Sequence, residues 1–551
     1  MYVDEHATTI NGKTYTRYLI RESYRDKGKI KHRTIANISK CSPEEIGAIK
    51  LALKYKGEYA NAMFDRQDIH MKQGLSVGAV YVLKQVADRL GITQALGSTE
   101  NAKQALWMAL SRLISAGSRL SNVRLAERHA AVDVIGMDAF NEDDLYNTLD
   151  WIERKQESIE SRLYKSRYTG KIPNLFLYDV TSSYMEGKKN ELSDWGYAIE
   201  KKNGKKQIII GLLTDAEGWP VSVEVFYGDT SDVKTFVSQI KKLANRFGCE
   251  RVTMVGDRGM IKTKEIEELR EENYYYITGI TKPQIESLMK QGVIQMKLFS
   301  EELCEVENGG IRYILKRNPV RAAEIKENRE SKIVKLKKIA EESNKNLREH
   351  VKAKVETVEK QINKQIDKLN LKKYVKVEVT EREVKIEIEE EEMKRESMLD
   401  GCYVLKTNVP KEGGVDMKTI HDRYRDLIHV EDAFRTVKTG SGMIEVRPAY
   451  VRKAARTRGH VFVVALSYMI EKELREAWRA INVRIKEGVE ELTMINAIEM
   501  EVKGIKYNQI PEPRELGIKL IKALGLSMPV AIENKGITIA TRKKINNKSK
   551  I

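Results

Sequence analysis

The chain has 551 residues, 41% of them hydrophobic and 32% charged, with four cysteines and a formal net charge of +17. That length suits several domains. Cys41, Cys249, Cys304 and Cys402 are scattered without a CxxC pair, so neither a disulfide framework nor a zinc finger is indicated, and no apolar run is long enough to span a bilayer.

The basic surplus favours polyanions, because each Lys or Arg that meets a phosphate releases counterions. Nucleic acid is the partner this composition points to; a merely solvated basic surface is the alternative. The opening MYVDEHATTINGKTY lacks the apolar core of a signal peptide, so a reducing, cytoplasmic compartment is expected, with no membrane partner.

Residues 1–70 contain TYTRYLIRESYRDKGKIKHRTIANIS, which alternates polar and apolar positions around Arg25-Asp26-Lys27-Gly28, a β-hairpin signal. Its arginines and lysines make it a candidate DNA-contacting ribbon, or an ordinary exposed sheet. Residues 71–170 turn helical, with apolar spacing of three and four in VGAVYVLKQVADRLGI and KQALWMALSRLISA. This helical domain is a candidate for binding DNA ends, and ADRLGITQAL has the outline of a helix-turn-helix as well as of a plain bundle corner.

Residues 171–320 alternate strands and helices. Leu175–Val180 reads as a buried strand with Asp179 near its end, before a turn-prone Thr-Ser-Ser. QIIIGLLTD and PVSVEVFY form a hairpin, with a helix from Ser231 or Asp232 through VKTFVSQIKKLANRF. A strand, Val252–Val255, runs into Gly256-Asp257, followed by a helix (KTKEIEELREEN) and a strand (YYYITGI). A three-strand meander, a helix and a further strand is the order of a ribonuclease-H-like α/β core.

Residues 321–398 interrupt that core. Apolar residues from Ile333 to Leu369 recur at near-heptad spacing, predicting a long helix or helical hairpin. VKVEVTEREVKIEIEEE predicts a strand pair, and Glu389–Glu392 a solvated end. Residues 399–475 rejoin the core through GCYVLKTN and a helix around HDRYRDLIHVEDAFRTVK, and 476–551 read as a basic, mostly helical tail.

Three acids stand out. Asp179 and Asp257 each follow an apolar strand, and chemistry in open α/β sheets gathers at the carboxyl ends of strands. Two carboxylates brought together repel, and a divalent metal relieves that repulsion. A cap or turn acid is the bland reading for either alone. Glu431 falls on the Leu427–Phe434 stripe of its helix, which predicts a buried position, where glutamate is rare unless paired or ligating. A buried salt bridge is the competing reading.

YDVTSSYMEG, WGYAIEKKNGKKQIIIGLLTDAEGWPV, FYGDTSDVKTF, VGDRGM and YRDLIHVEDAFRTVK with its extension EVRPAYVRKAARTRGHVFVVALSYMI together resemble the DDE transposases of insertion sequences, in the IS4-like superfamily and its IS1634-type branch. Asp229 stands where that pattern usually has asparagine. Tyr424, Glu431 and Lys438 fit the spacing of the superfamily's Tyr-x-x-Arg-x-x-x-Glu-x6-Lys signature, but Leu427 occupies the arginine place. Arg423, Arg425 or Arg435 could substitute.

The resemblance implies that Asp179, Asp257 and Glu431 are catalytic and hold two Mg²⁺ ions, with Mn²⁺ able to replace them. It implies double-stranded DNA, both element ends and target, as partner; a homodimer in the DNA complex; and a nucleoid-associated protein. Arg258, Tyr424, Arg435, Lys438, Arg447, Arg452 and Arg458 are its candidate DNA contacts, and His460 is read as a packing residue. A ribonuclease-H-fold nuclease without strand transfer, and an inactive transposase-derived DNA-binding protein, are the alternatives.

Overall fold

The computed structural model describes the chain apart from residues 11–12, 55–68, 171–172, 186, 197–203, 232–234, 237–238, 240–241, 244–245, 248, 250–251, 259–273, 301, 351, 381, 412–414, 439–445, 447–450, 503–504, 534–535, 538, 540 and 542–551. Strands β1 (Tyr2–Ile10), β2 (Lys13–Asp26) and β3 (Lys29–Asn37) form an antiparallel ribbon in that order. The expected hairpin is β2–β3. Lys27 (φ 47°) and Gly28 (φ 81°) are both left-handed at its turn, as a two-residue turn matched to strand twist requires. Helix α1 (Pro43–Lys54) follows, capped reciprocally by Ser42 and Glu45.

Strand β4 (Ile69–Ser76) leads into a helical body: α2 (Gly78–Arg89), α3 (Ile92–Leu96), α4 (Glu100–Ile114), α5 (Arg119–Ala126), α6 (Ala131–Ile135) and α7 (Glu142–Arg167). The helix-turn-helix outline resolves as a core corner. Gly91 makes the turn (φ 75°), but α3 has only five residues, and Ile92, Ala95 and Leu96 are buried rather than presented to a groove.

Strands β5 (Leu175–Tyr184), β6 (Gln207–Asp215) and β7 (Pro220–Phe226) form the expected meander. The Asp232 cap lies outside the described residues, as does the helix expected over 262–273. Next come β8 (Thr253–Gly256), β9 (Tyr275–Gly279), α8 (Lys282–Lys290), β10 (Cys304–Asn308) and β11 (Ile311–Arg317). The insertion is a helical hairpin, α9 (Pro319–Glu349) and α10 (Val355–Leu369), then the strand pair β12 (Val375–Thr380) and β13 (Glu383–Ile388) and helix α11 (Glu390–Met398). It has its own small core, including Leu336, Leu347, Ile362 and Val384. Glu390 and Glu391 are exposed in the first turn of α11, where acids suit the helix dipole.

Strand β14 (Cys402–Thr407) returns to the main sheet, whose order is β10-β11-β14-β9-β8-β5-β6-β7. β5, β6 and β7 are antiparallel neighbours, while β8 pairs parallel with both β5 and β9. The single expected helix around Glu431 is two, α12 (Met417–Arg425) and α13 (Leu427–Lys438), meeting at Asp426. Helix α14 (Ala454–Trp478) packs on α4, α7 and β7, joining the helical body to the sheet.

The segment 476–551 is not a separate helical tail. After α15 (Ile485–Thr493), β15 (Asn496–Val502) pairs with β4 and with β16 (Ile505–Gln509), and α16 (Glu515–Ala523) follows. Leu492, Ile495, Leu520 and Trp478 share one core with Val80 and Leu83, because the apolar face of α15 packs on α2. The helical body is therefore built from both ends of the chain. Among the described residues no helix is long and apolar enough to cross a membrane.

Candidate active site

Asp179 does not end its strand. It lies mid-way along β5, opposite Leu212 of β6, and Thr181, Ser182 and Ser183 continue the strand as buried residues. What ends there is the other neighbour: parallel pairing with β8 stops at Tyr178–Gly256. Asp179 and Asp257 are the residues next after that last parallel pair: β8 ends there, while β5 runs on beside β6. Helix α13 packs across β5 and β6, and its Glu431 shares a cleft with Asp257, which Asp179 does not line.

Glu431 is exposed, contrary to the buried position expected from its stripe. The buried face of α13 is made by Leu427, Val430, Ala433 and Phe434. Glu431 stands at the edge of that face, one turn from Leu427, and so looks into solvent beside the core. Asp257 and Glu431 line one cleft of about 580 Å³, together with Arg258, Tyr424, Arg425 and Leu427. Arg321 and Lys282, from elements distant in sequence, complete its basic rim.

Tyr424 ties α12 to the end of β8. Its hydroxyl donates to Asp257 Oδ1 at 3.4 Å, and Asp257 also accepts from the Arg258 backbone N–H. Burial, then the negative charge of Asp257, pushes the Tyr424 phenol above its ordinary range, so it stays a donor. Gly279 at the end of β9 makes room: a Cβ there would lie 2.8 Å from the Tyr424 hydroxyl. Gly218 in the β6–β7 turn does the same for α13, since a Cβ would meet His429 at 2.7 Å.

The donor set is all carboxylate oxygen, which suits a hard divalent cation. Among the described residues no group of three or more His, Cys, Asp or Glu is arranged to hold a metal ion. Asp257 and Glu431 on an open cleft suit a divalent cation of the kind held by one or two carboxylates plus substrate phosphates.

Residues 170–470 match the family described as transposase DDE domain, and residues 5–68 match the IS1634 family transposase, N-terminal domain. The chain belongs to the DDE transposases. It is a DNA transposase of an insertion sequence, in the IS1634 branch. No curated protein matches the transposase in sequence. Among solved structures it is similar to piggyBac transposase in a cryo-EM synaptic complex with hairpin DNA. The identity is 9% and the TM-score 0.34, with 71% of this chain and 70% of that chain covered.

The other candidate contacts of the transposase are dispersed. Arg435, one turn beyond Glu431, pairs with Asp432 at 3.0 Å and is well exposed. Leu427 is 7% exposed and belongs to the core, so the missing arginine of the signature is not regained at its own place. Lys438 ends α13. Arg447 lies outside the described residues. Arg452 is exposed just before α14, and its carbonyl accepts from the Glu191 N–H.

Arg458 is turned away from the cleft. It lies 3.7 Å from Glu153 of α7, in a separate groove beside β7. His460 is a packing residue, bonded through Nε2 to the Val446 carbonyl at 2.8 Å. Lys282, Arg321 and Tyr403 of the cleft carry no local sequence signal. They are lining residues only because the starts of α8 and α9 and strand β14 lie beside the site.

Proposed function

We propose that Asp179, Asp257 and Glu431 are the catalytic carboxylates of this transposase, on a ribonuclease-H-like core. The supporting observation is the strand order. An antiparallel meander, β7-β6-β5, continues into parallel β8 and β9, and the two aspartates come directly after the last parallel pair of β5 and β8, Tyr178–Gly256. The substrate we assign is double-stranded DNA, first the element ends and then a target, engaged by a homodimer. Nucleoid association follows from that substrate.

The three carboxylates would hold two Mg²⁺ ions, for which Mn²⁺ would substitute. When bound, the ions supply Lewis-acid stabilisation of the attacking and leaving oxygens in an in-line phosphoryl transfer. The chain's own groups hold the DNA and orient it. Tyr424 fixes Asp257 through its hydroxyl, and the cationic rim of Arg258, Lys282, Arg321 and Arg425 meets the phosphates. Water is the nucleophile for cleavage and a DNA 3′-hydroxyl for joining, so no nucleophilic side chain is required. Arg435, Lys438, Arg447 and Arg452 extend the basic surface beyond the cleft, and Arg458 would act only where DNA reaches α7.

The test is Asp179→Asn, with Glu431→Gln as its companion. Each should abolish cleavage and joining of an element-end duplex while leaving its binding affinity within a few-fold, because the basic surface carries affinity. Normal cleavage by either variant would remove that residue from the catalytic set.

A further inference from the structure

The insertion begins at the active site. Asn318, Arg321 and Ile325, at the start of α9, line the catalytic cleft. Arg321, Ile325, Asn328, Arg329 and Lys332 follow the spacing of a single helix face, and that face lines a second cleft of about 550 Å³. Its opposite wall is the end of α10 and the segment after it, with Lys372 and Lys373. The two clefts share Lys282, Arg321 and Ile325, so they form one continuous groove.

Charge in the second cleft is strongly one-sided, with six Lys or Arg against two Glu. Acids in and beside it pair with part of that charge. Asp400 lies 2.6 Å from Arg329 and 3.7 Å from Lys282, and Glu396 lies 2.8 Å from Lys373. At the rim, Arg321 is 65% exposed and pairs with Glu324 at 2.7 Å, and Lys372 is 82% exposed and lies 3.9 Å from Asp367, so both are surface ion pairs that a phosphate can compete for. From Arg321 to Lys332 the helix advances about 16 Å. That is the length of roughly five base pairs at 3.4 Å per step.

We propose that the insertion is a DNA-backbone track: the groove between α9 and the end of α10 carries the phosphates of the duplex flank that enters the catalytic cleft. The flank is held for about five base pairs beyond the cleaved bond. This reading gives the insertion a role in substrate positioning rather than in chemistry. It rests on the cleft being the active site, so its test is made on binding alone.

The probe is an element-end duplex titrated without divalent metal over a range of salt, with hydroxyl-radical footprinting. The variant is Lys332→Ala/Lys372→Ala/Lys373→Ala. The control is Lys345→Ala/Lys364→Ala/Lys385→Ala, which removes the same charge from the insertion but lines neither cleft. The track variant should lower the slope of log affinity against log salt by roughly 2–3, about 0.9 per lost phosphate contact. It should also lose protection over about five base pairs on one side of the cleavage point.

A second variant, Lys332→Gln/Lys372→Gln, leaves the Lys373–Glu396 pair intact and should lose roughly 1.8 from the slope. An unchanged slope and footprint, or an equal loss in the control, overturns the proposal. So does a change in oligomeric mass with the footprint retained, which would mark the groove as a protein contact. Failure of Asp179→Asn to stop cleavage would refute the carboxylate assignment without altering these binding readouts.

Discussion

Replacing Gly279 with alanine should disable Tyr424 without touching it. The added Cβ would sit 2.8 Å from the phenolic oxygen, and ordinary contact begins at 3.4 Å, so the hydroxyl must retreat by about 0.6 Å. It already reaches Asp257 Oδ1 at only 3.4 Å, and a retreat from β9 takes it beyond hydrogen-bond range. A hydrogen bond to a charged group is worth about 1.5–3 kcal/mol at best. Asp257 is exposed, so about 1 kcal/mol is the working figure, or roughly fivefold in cleavage rate.

The next-nearest ring atom, Cζ, is at 3.5 Å, an ordinary contact. In a Tyr424→Phe background the same alanine should therefore cost almost nothing. The assay is single-turnover cleavage of an element-end duplex by wild type, both single variants and the double variant, each checked for its unfolding midpoint. Additive losses in the double variant, or wild-type cleavage by folded Gly279→Ala, would refute the reasoning.

Glu160 is 2% exposed and accepts from Arg246, Ser222 and the Val223 N–H, tying α7 to β7. Glu160→Ala removes the buried partner of the Arg246 guanidinium, leaving it only the exposed Glu157 at 3.8 Å, and should cost about 3 kcal/mol in denaturant unfolding; a loss below about 1 kcal/mol would contradict that picture. Arg435→Lys keeps the exposed charge opposite Asp432, so it should change stability by under about 1 kcal/mol, and a larger change in urea midpoint would show that the pair is not merely superficial.

His129 is held down to about 4 and His460 well below its ordinary value, both chiefly by burial and then by neighbouring arginines. A histidine buried neutral binds its proton in the unfolded chain first. Stability should thus fall as pH drops below the unfolded value near 6.5, by up to about 1.4 kcal/mol per pH unit for each histidine. Unfolding midpoints between pH 6.5 and 5 should flatten in His129→Leu/His460→Phe; an unchanged slope there would assign the acid sensitivity to other groups.

Local pattern carries much of this protein in its sequence. The β2–β3 hairpin, the heptad-like insertion and the β12–β13 pair were legible because turn residues, helical spacing and strand alternation are properties of neighbouring residues. Asp179, Asp257 and Glu431 could be singled out for the same reason, each standing in or beside an apolar element.

Tertiary structure decided what neighbours cannot encode. Asp179 stops being a strand end and becomes the residue where one of two flanking strands runs out. Glu431 is exposed because α13 turns Val430 and Ala433 toward the sheet, and an apolar stripe alone does not fix where its edge falls. The pairing of β4 with β15 joins residues over four hundred positions apart, and no local periodicity reports such a partner. The basic groove is assembled in the same way. Lys282, Arg321 and Lys372 are ordinary surface residues in the sequence, and only the return of β14 to the sheet sets the insertion beside the carboxylates.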